Sequence, residues 1–101
     1  GWDAAIGYLA DWGGNDRYDA QHLSQGAAAM NGLGLLFDGD GADVYSAHSG
    51  QGFGDETVYW PLRRTPNLGV LIDRGGNQDI YSLRKNGADA RDAGIGIFSD
   101  R

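Results

Sequence analysis

Two rows of aspartate are the residues of this chain best placed to do chemistry. Asp11, Asp38, Asp73 and Asp100 form one row, and Asp16, Asp43 and Asp79 form the other. If successive stretches of chain lie over one another, the carboxylates of a row stand about 5 Å apart and repel. Something must offset that repulsion. One answer is the backbone N–H groups of glycine-rich turns, which an Asp before such a turn commonly accepts. The other is a bound cation. Calcium takes about six to eight oxygens from carboxylates and carbonyls, and an Asp-rich stack of turns supplies that donor type. The candidate calcium ligands are Asp11, Asp16, Asp38, Asp40, Asp43, Asp73 and Asp79. Both answers stand, and different turns can use different ones. An EF-hand is excluded: counted from Asp38, the glycine of its sixth position is Asp43 and the glutamate of its twelfth is Ser49.

Other chemistry-bearing residues give weaker signals. His22 and His48 each stand three residues before a glutamine, Gln25 and Gln51, so they read as stacked neighbours. Two imidazoles without a third ligand of fixed position make a solvated corner rather than a metal centre. Gln25, Gln51 and Asn86 read as an amide ladder, each side chain bonding the next. Ser24, Ser46, Ser49, Ser82 and Ser99 fit no nucleophile pattern, and there is no cysteine for a thiol nucleophile, a disulfide or a Cys-based zinc site. The repeated aspartates are weak support for an acid/base pair, because rows repeat wherever the chain repeats. We therefore expect no enzyme, with a polysaccharide-active β-helix as the third-ranked reading.

The elements that position the aspartates are repeats. Leu33-Gly34-Leu35-Leu36-Phe37-Asp38 and its sequel to Tyr45 are echoed upstream from Ile6 to Tyr18 and downstream from Leu68 to Tyr81, and a fourth copy begins at Ile95. Such self-similarity decides how the rest is read. Gly7 to Gly34 and Gly69 to Gly96 each span 27 residues, whereas Gly34 to Gly69 spans 35. The chain thus divides into repeats near 6–32, 33–67 and 68–94, a partial copy at 95–101 and an insertion loop at 55–67. Both prolines lie in that loop, so it is not regular strand. Tyr59, Trp60, Arg63 and Arg64 make it a candidate partner-binding loop, since aromatics and Arg on a loop favour contact. A loop folded back over one face of the scaffold is the equal alternative.

Within a repeat, short apolar runs bounded by Gly, Asn and Asp read as strands. Three strands and three turns in 27 residues predict one coil of a parallel β-solenoid, and the chain a single all-β domain of about three coils. Right-handedness follows from the rule for parallel crossovers. Two ladders, Ile6/Leu33/Leu68/Ile95 and Tyr8/Leu35/Val70/Ile97, are expected to face inward. The glycine ladder Gly7/Gly34/Gly69/Gly96 then faces outward, and Leu9/Leu36/Leu71/Phe98 with it. Tyr18, Tyr45 and Tyr81 form an aromatic ladder for packing.

Composition bounds the rest. Eighteen glycines in 101 residues exceed the usual roughly 7% and recur at fixed places. A net charge of −6 argues against nucleic acid or an anionic membrane as partner and leaves room for cations. No stretch reaches the roughly 20 apolar residues of a membrane span, and no signal peptide is visible. The chain opens on Gly1 and stops inside a copy, so open, uncapped ends are expected.

Gly39-Asp40-Gly41-Ala42-Asp43-Val44-Tyr45 resembles the nonapeptide of RTX (haemolysin-type) calcium-binding repeats, and the turns before Tyr18 and Tyr81 resemble it less closely. That resemblance implies calcium held between turns, with Asp16, Asp43 and Asp79 as the matching residues. The whole chain apart from the insertion is more similar to bacterial proteins with Gly-x-Gly-x-Leu-x-Asp-x-x-Gly-x-Asp-x-Tyr repeats followed by Gln-Gly. That class implies a β-solenoid and no particular activity. The expected function is a structural or adhesive repeat module. It stacks on itself or on adjacent repeats, as a homo-oligomer or filament, in an extracellular or cell-surface assembly. The alternative is a calcium-binding RTX-like surface module.

Overall fold

The computed structural model describes residues 1, 5–55, 67–76, 78–92 and 95–101. The insertion residues Tyr59, Trp60, Arg63 and Arg64 lie outside them. The described chain is all-β. Eight strands are present: β1 Ile6–Ala10, β2 Arg17–Asp19, β3 Leu33–Asp38, β4 Val44–Ser46, β5 Leu68–Asp73, β6 Ile80–Tyr81, β7 Asp89–Asp92 and β8 Ile95–Asp100. None of the described residues is helical, so no helix among them is long and apolar enough to cross a membrane. Ala27-Ala28-Ala29, which has helix-forming composition, is extended and buried, and Ala28 bridges Gly54.

The strands form two sheets. The larger has the order β1-β3-β5-β8-β7 and the smaller β2-β4-β6. Every pairing is parallel except β7 with β8. Like pairs with like along the larger sheet: Gly7, Gly34, Gly69 and Gly96 lie in one register, as do Asp38, Asp73 and Asp100. A third line of parallel pairing runs through the single bridges Ser24↔Gly50 and Ala28↔Gly54. The irregularities stay in the connections. Tyr45 pairs with Tyr81, one residue further on than the Leu33–Leu68 offset, because Gln78 adds a residue to that turn. The base of the insertion is tied by Asn67, whose side-chain amide donates to the Asp55 carbonyl and whose Oδ1 accepts the Asn31 N–H at 2.5 Å.

The inward face is the opposite of the one expected from the sequence. Along β3, Gly34, Leu36 and Asp38 are buried while Leu33, Leu35 and Phe37 are half-exposed. The core is Leu36, Leu71 and Phe98 against Tyr45 and Tyr81. Ile6 and Tyr8, expected inside, are 74% and 66% exposed. Glycine is the physical reason. A Cβ on Gly34 would overlap the Ala27 carbonyl, and one on Gly69 the Phe53 carbonyl. The larger sheet and the Gln-Gly-Ala line meet backbone to backbone there, and only glycine permits that approach on the inner face.

Side-chain ladders hold the register. The Tyr45 ring stacks on Tyr18 at 4.9 Å and on Tyr81 at 4.6 Å, which matches the strand spacing of about 4.8 Å. Gln51 Nε2 donates to Gln25 Oε1 at 3.0 Å, so the amide ladder exists for two rungs. Asn86 does not continue it. Leu83 N–H and Ser82 Oγ meet Gln51 instead. Both Gln25 and Gln51 carry positive φ, 51° and 59°, a conformation held by buried amides that bond backbone carbonyls.

The two edges of the larger sheet differ. At the far edge β7 folds back antiparallel on β8, the Arg84 guanidinium lies 5.7 Å above the Phe98 ring, and Ala88 and Ala90 pack on the core. β7 thus covers β8 and is itself the edge strand on that side. β1, at the other edge, has no strand on its outer side among the described residues.

Candidate functional site

The inward turn of the Gly-Leu-Asp face carries the strand aspartates into the interior. Asp38 and Asp73 sit at the ends of β3 and β5 and are fully buried. The turns that follow bring Asp43 and Asp79 to the same place; Asp43 is fully buried and Asp79 nearly so. Two triads result. One carboxylate oxygen from each of Asp16, Asp38 and Asp43 lies within 4.8 Å of the others, and so does one from each of Asp43, Asp73 and Asp79. Asp43 belongs to both. Unit charges at that separation repel by about 3 kcal/mol at an effective dielectric of about 20.

The two oxygens of each buried aspartate have different fates. Asp38 Oδ2 accepts the hydroxyls of Tyr18 at 2.7 Å and Tyr45 at 3.1 Å. Asp73 Oδ2 accepts the Tyr81 hydroxyl at 2.5 Å. Asp43 Oδ1 accepts the Asp16 N–H at 2.7 Å, and Asp79 Oδ1 the Asp43 N–H at 2.8 Å. The turn-capping reading of the sequence is therefore met at Asp43 and Asp79 by one oxygen of each. Asp38 Oδ1, Asp43 Oδ2 and Asp73 Oδ1 are buried and have no hydrogen-bond partner. An unpartnered buried polar atom costs about 1–3 kcal/mol, and more when charged.

Burial dominates the electrostatics. It pushes the Asp43 carboxyl up to about 6, with the Asp16 N–H opposing and Asp38 and Asp79 adding. It pushes Asp73 up to about 6 as well, against the pull of the Tyr81 and Tyr45 hydroxyls. Asp16 is raised by burial first and then by Asp11 and Asp38. The hydroxyls of Tyr18, Tyr45 and Tyr81 are all raised, by burial first and then by the aspartates they face. They are held as donors.

The remaining candidates lie elsewhere. Asp11 is half-exposed, and its Oδ1 accepts the Gly13 N–H at 3.3 Å. Asp40 is exposed in the turn and belongs to neither triad. His22 and His48 are neighbours as expected, edge to face with centroids 5.3 Å apart, and both are exposed. Ser49 and Ser82 are spent on backbone contacts. Asn86, expected in the amide ladder, instead donates through Nδ2 to Asp79 Oδ2 at 3.0 Å and Asp100 Oδ2 at 3.2 Å. Sequence reasoning missed the tyrosine hydroxyls as partners of the strand aspartates. The available signal was phase: Asp38 and Asp73 stand two residues after Leu36 and Leu71 and so share their face.

Comparison of the chain with protein-family models, curated proteins and solved structures finds no match.

Proposed function

We propose that this chain is a structural or adhesive module: a segment of parallel β-solenoid that stacks on a second copy or on adjacent repeats. The observation that carries this reading is the β1 edge. Its backbone groups face no other strand among the described residues, and Ile6, Tyr8 and Leu9 beside it are 74%, 66% and 45% exposed. An unpaired edge flanked by apolar side chains is a template for another strand. The rest of the larger sheet supplies the pattern such a strand follows, Ile or Leu over Leu and Gly over Gly. The acidic interior supports a setting outside the cell, where calcium is plentiful enough to fill weak oxygen sites.

Sedimentation velocity over a wide concentration range tests the proposal. Association that rises with concentration, and is abolished by Tyr8→Lys at unchanged secondary structure, is the expected result. A chain that stays monomeric at the highest concentration overturns it.

A further inference from the structure

We propose that the interior binds two calcium ions in file, one among Asp16, Asp38 and Asp43 and the other among Asp43, Asp73 and Asp79. The inference does not depend on the stacking of copies. Nor does it come from the turn motif, which contains Asp16, Asp43 and Asp79 but neither strand aspartate.

Three observations converge on it. First, both triads are assembled from carboxylates alone, with ligand oxygens within 4.8 Å of one another. Oxygens that close together can share one calcium ion with ligands at about 2.4 Å. No imidazole or thiolate enters either triad, so the donors are hard and suit a hard cation. Second, each triad holds buried oxygens that no described residue satisfies, Asp38 Oδ1 and Asp43 Oδ2 in one and Asp43 Oδ2 and Asp73 Oδ1 in the other. Asp38, Asp43 and Asp73 are each 0% exposed. Two divalent cations bring four positive charges to five carboxylates.

Third, the chain contains its own control. The next position in the same file is made by Asp79 and by Asp100, the register partner of Asp73. There Asn86 Nδ2 donates to both carboxylates, and the Gly87 N–H adds a bond of 2.7 Å to Asp100 Oδ2. Where the file ends under the β7–β8 cover, an amide donor sits between the carboxylates. At the two interior positions Asp38 Oδ1, Asp43 Oδ2 and Asp73 Oδ1 meet no donor among the described residues, and a cation fills that role.

The test uses the whole chain, dialysed against EDTA and titrated with CaCl₂ at neutral pH by calorimetry, with melting followed by circular dichroism. Two ions per chain are expected. The melting temperature should rise by about 20 °C once calcium exceeds the Kd of both sites a hundredfold. Asp40→Asn, on the exposed turn, should still bind two, whereas Asp38→Asn and Asp73→Asn should each bind one. Should those variants fail to fold, Tb³⁺ replaces calcium on the unmodified chain. The tyrosine hydroxyls bonded to Asp38 and Asp73 place the sensitiser against the ion, so emission excited through tyrosine should saturate at two Tb³⁺ and be displaced by calcium. No binding heat, no rise in melting temperature and no sensitised emission would show that the carboxylates instead share protons, and would overturn the proposal. Loss of binding in Asp40→Asn would also overturn it, by moving the ion to the outer turn.

Discussion

At the scale of single residues, the buried aspartates decide how this protein responds to its medium. Asp43 and Asp73 titrate near 6 in the folded chain, against about 3.9 unfolded. Between those values the native state holds more protons than the unfolded one, so stability falls as pH rises. The contribution is fully present below about pH 4 and lost once pH passes about 6. Asp16 and Asp100 are raised as well and act in the same direction. In the absence of divalent cations, the urea midpoint should therefore be higher at pH 4.5 than at pH 7.5. A midpoint independent of pH would contradict the burial of these carboxylates. Tyr45→Phe removes one of the two hydroxyls on Asp38 Oδ2 and should cost about 1–2 kcal/mol in urea unfolding. Asn86→Ala strips a donor shared by Asp79 and Asp100, and should cost about 2–3 kcal/mol by the same measurement.

At the scale of elements, glycine rather than leucine determines which face of the sheet turns inward. The pair Gly34 and Gly7 makes this testable, since they occupy one register in adjacent strands. A Cβ on Gly34 would overlap the Ala27 carbonyl, while one on Gly7 would meet, among the described residues, Gly1 alone at 3.4 Å or more. Gly34→Ala should cost more than about 3 kcal/mol, because the obstruction is backbone and cannot swing aside. Gly7→Ala should change the urea midpoint little. Equal effects would mean that the close approach of strand and Gln-Gly-Ala line does not stabilise the fold. The antiparallel turn of β7 onto β8 is the second element-scale feature. Its exposed Asp89 pairs with Arg101 at 2.8 Å, and charges along such a strand discourage further pairing.

At the scale of the whole molecule, the asymmetry of the two edges shapes any assembly. β1 and β7 are the two edge strands of the larger sheet among the described residues, and the charges in the Asp89-Ala90-Arg91-Asp92 sequence of β7 leave β1 as the edge more open to growth. A contact that uses one self-complementary patch closes at two copies, whereas a filament needs two different ones. Sedimentation should accordingly resolve a dimer rather than a ladder of larger species. The parallel register and the stacking of Asp on Asp and Tyr on Tyr were legible in the sequence, because like residues recur at matching places along the chain and pair with one another. Which face of each strand lies inside was not. Alternation splits Leu33-Gly34-Leu35-Leu36-Phe37-Asp38 into a face of Leu33, Leu35 and Phe37 and a less apolar face of Gly34, Leu36 and Asp38, and the close approach of Gly34 to the Ala27 carbonyl turns the second inward. That selection buries Asp38 and Asp73, and so it alone brings carboxylates from strand and turn together. The cover over β8 was equally hidden, since Asp89-Ala90-Arg91-Asp92 has a polar composition and becomes a strand through its pairing with β8.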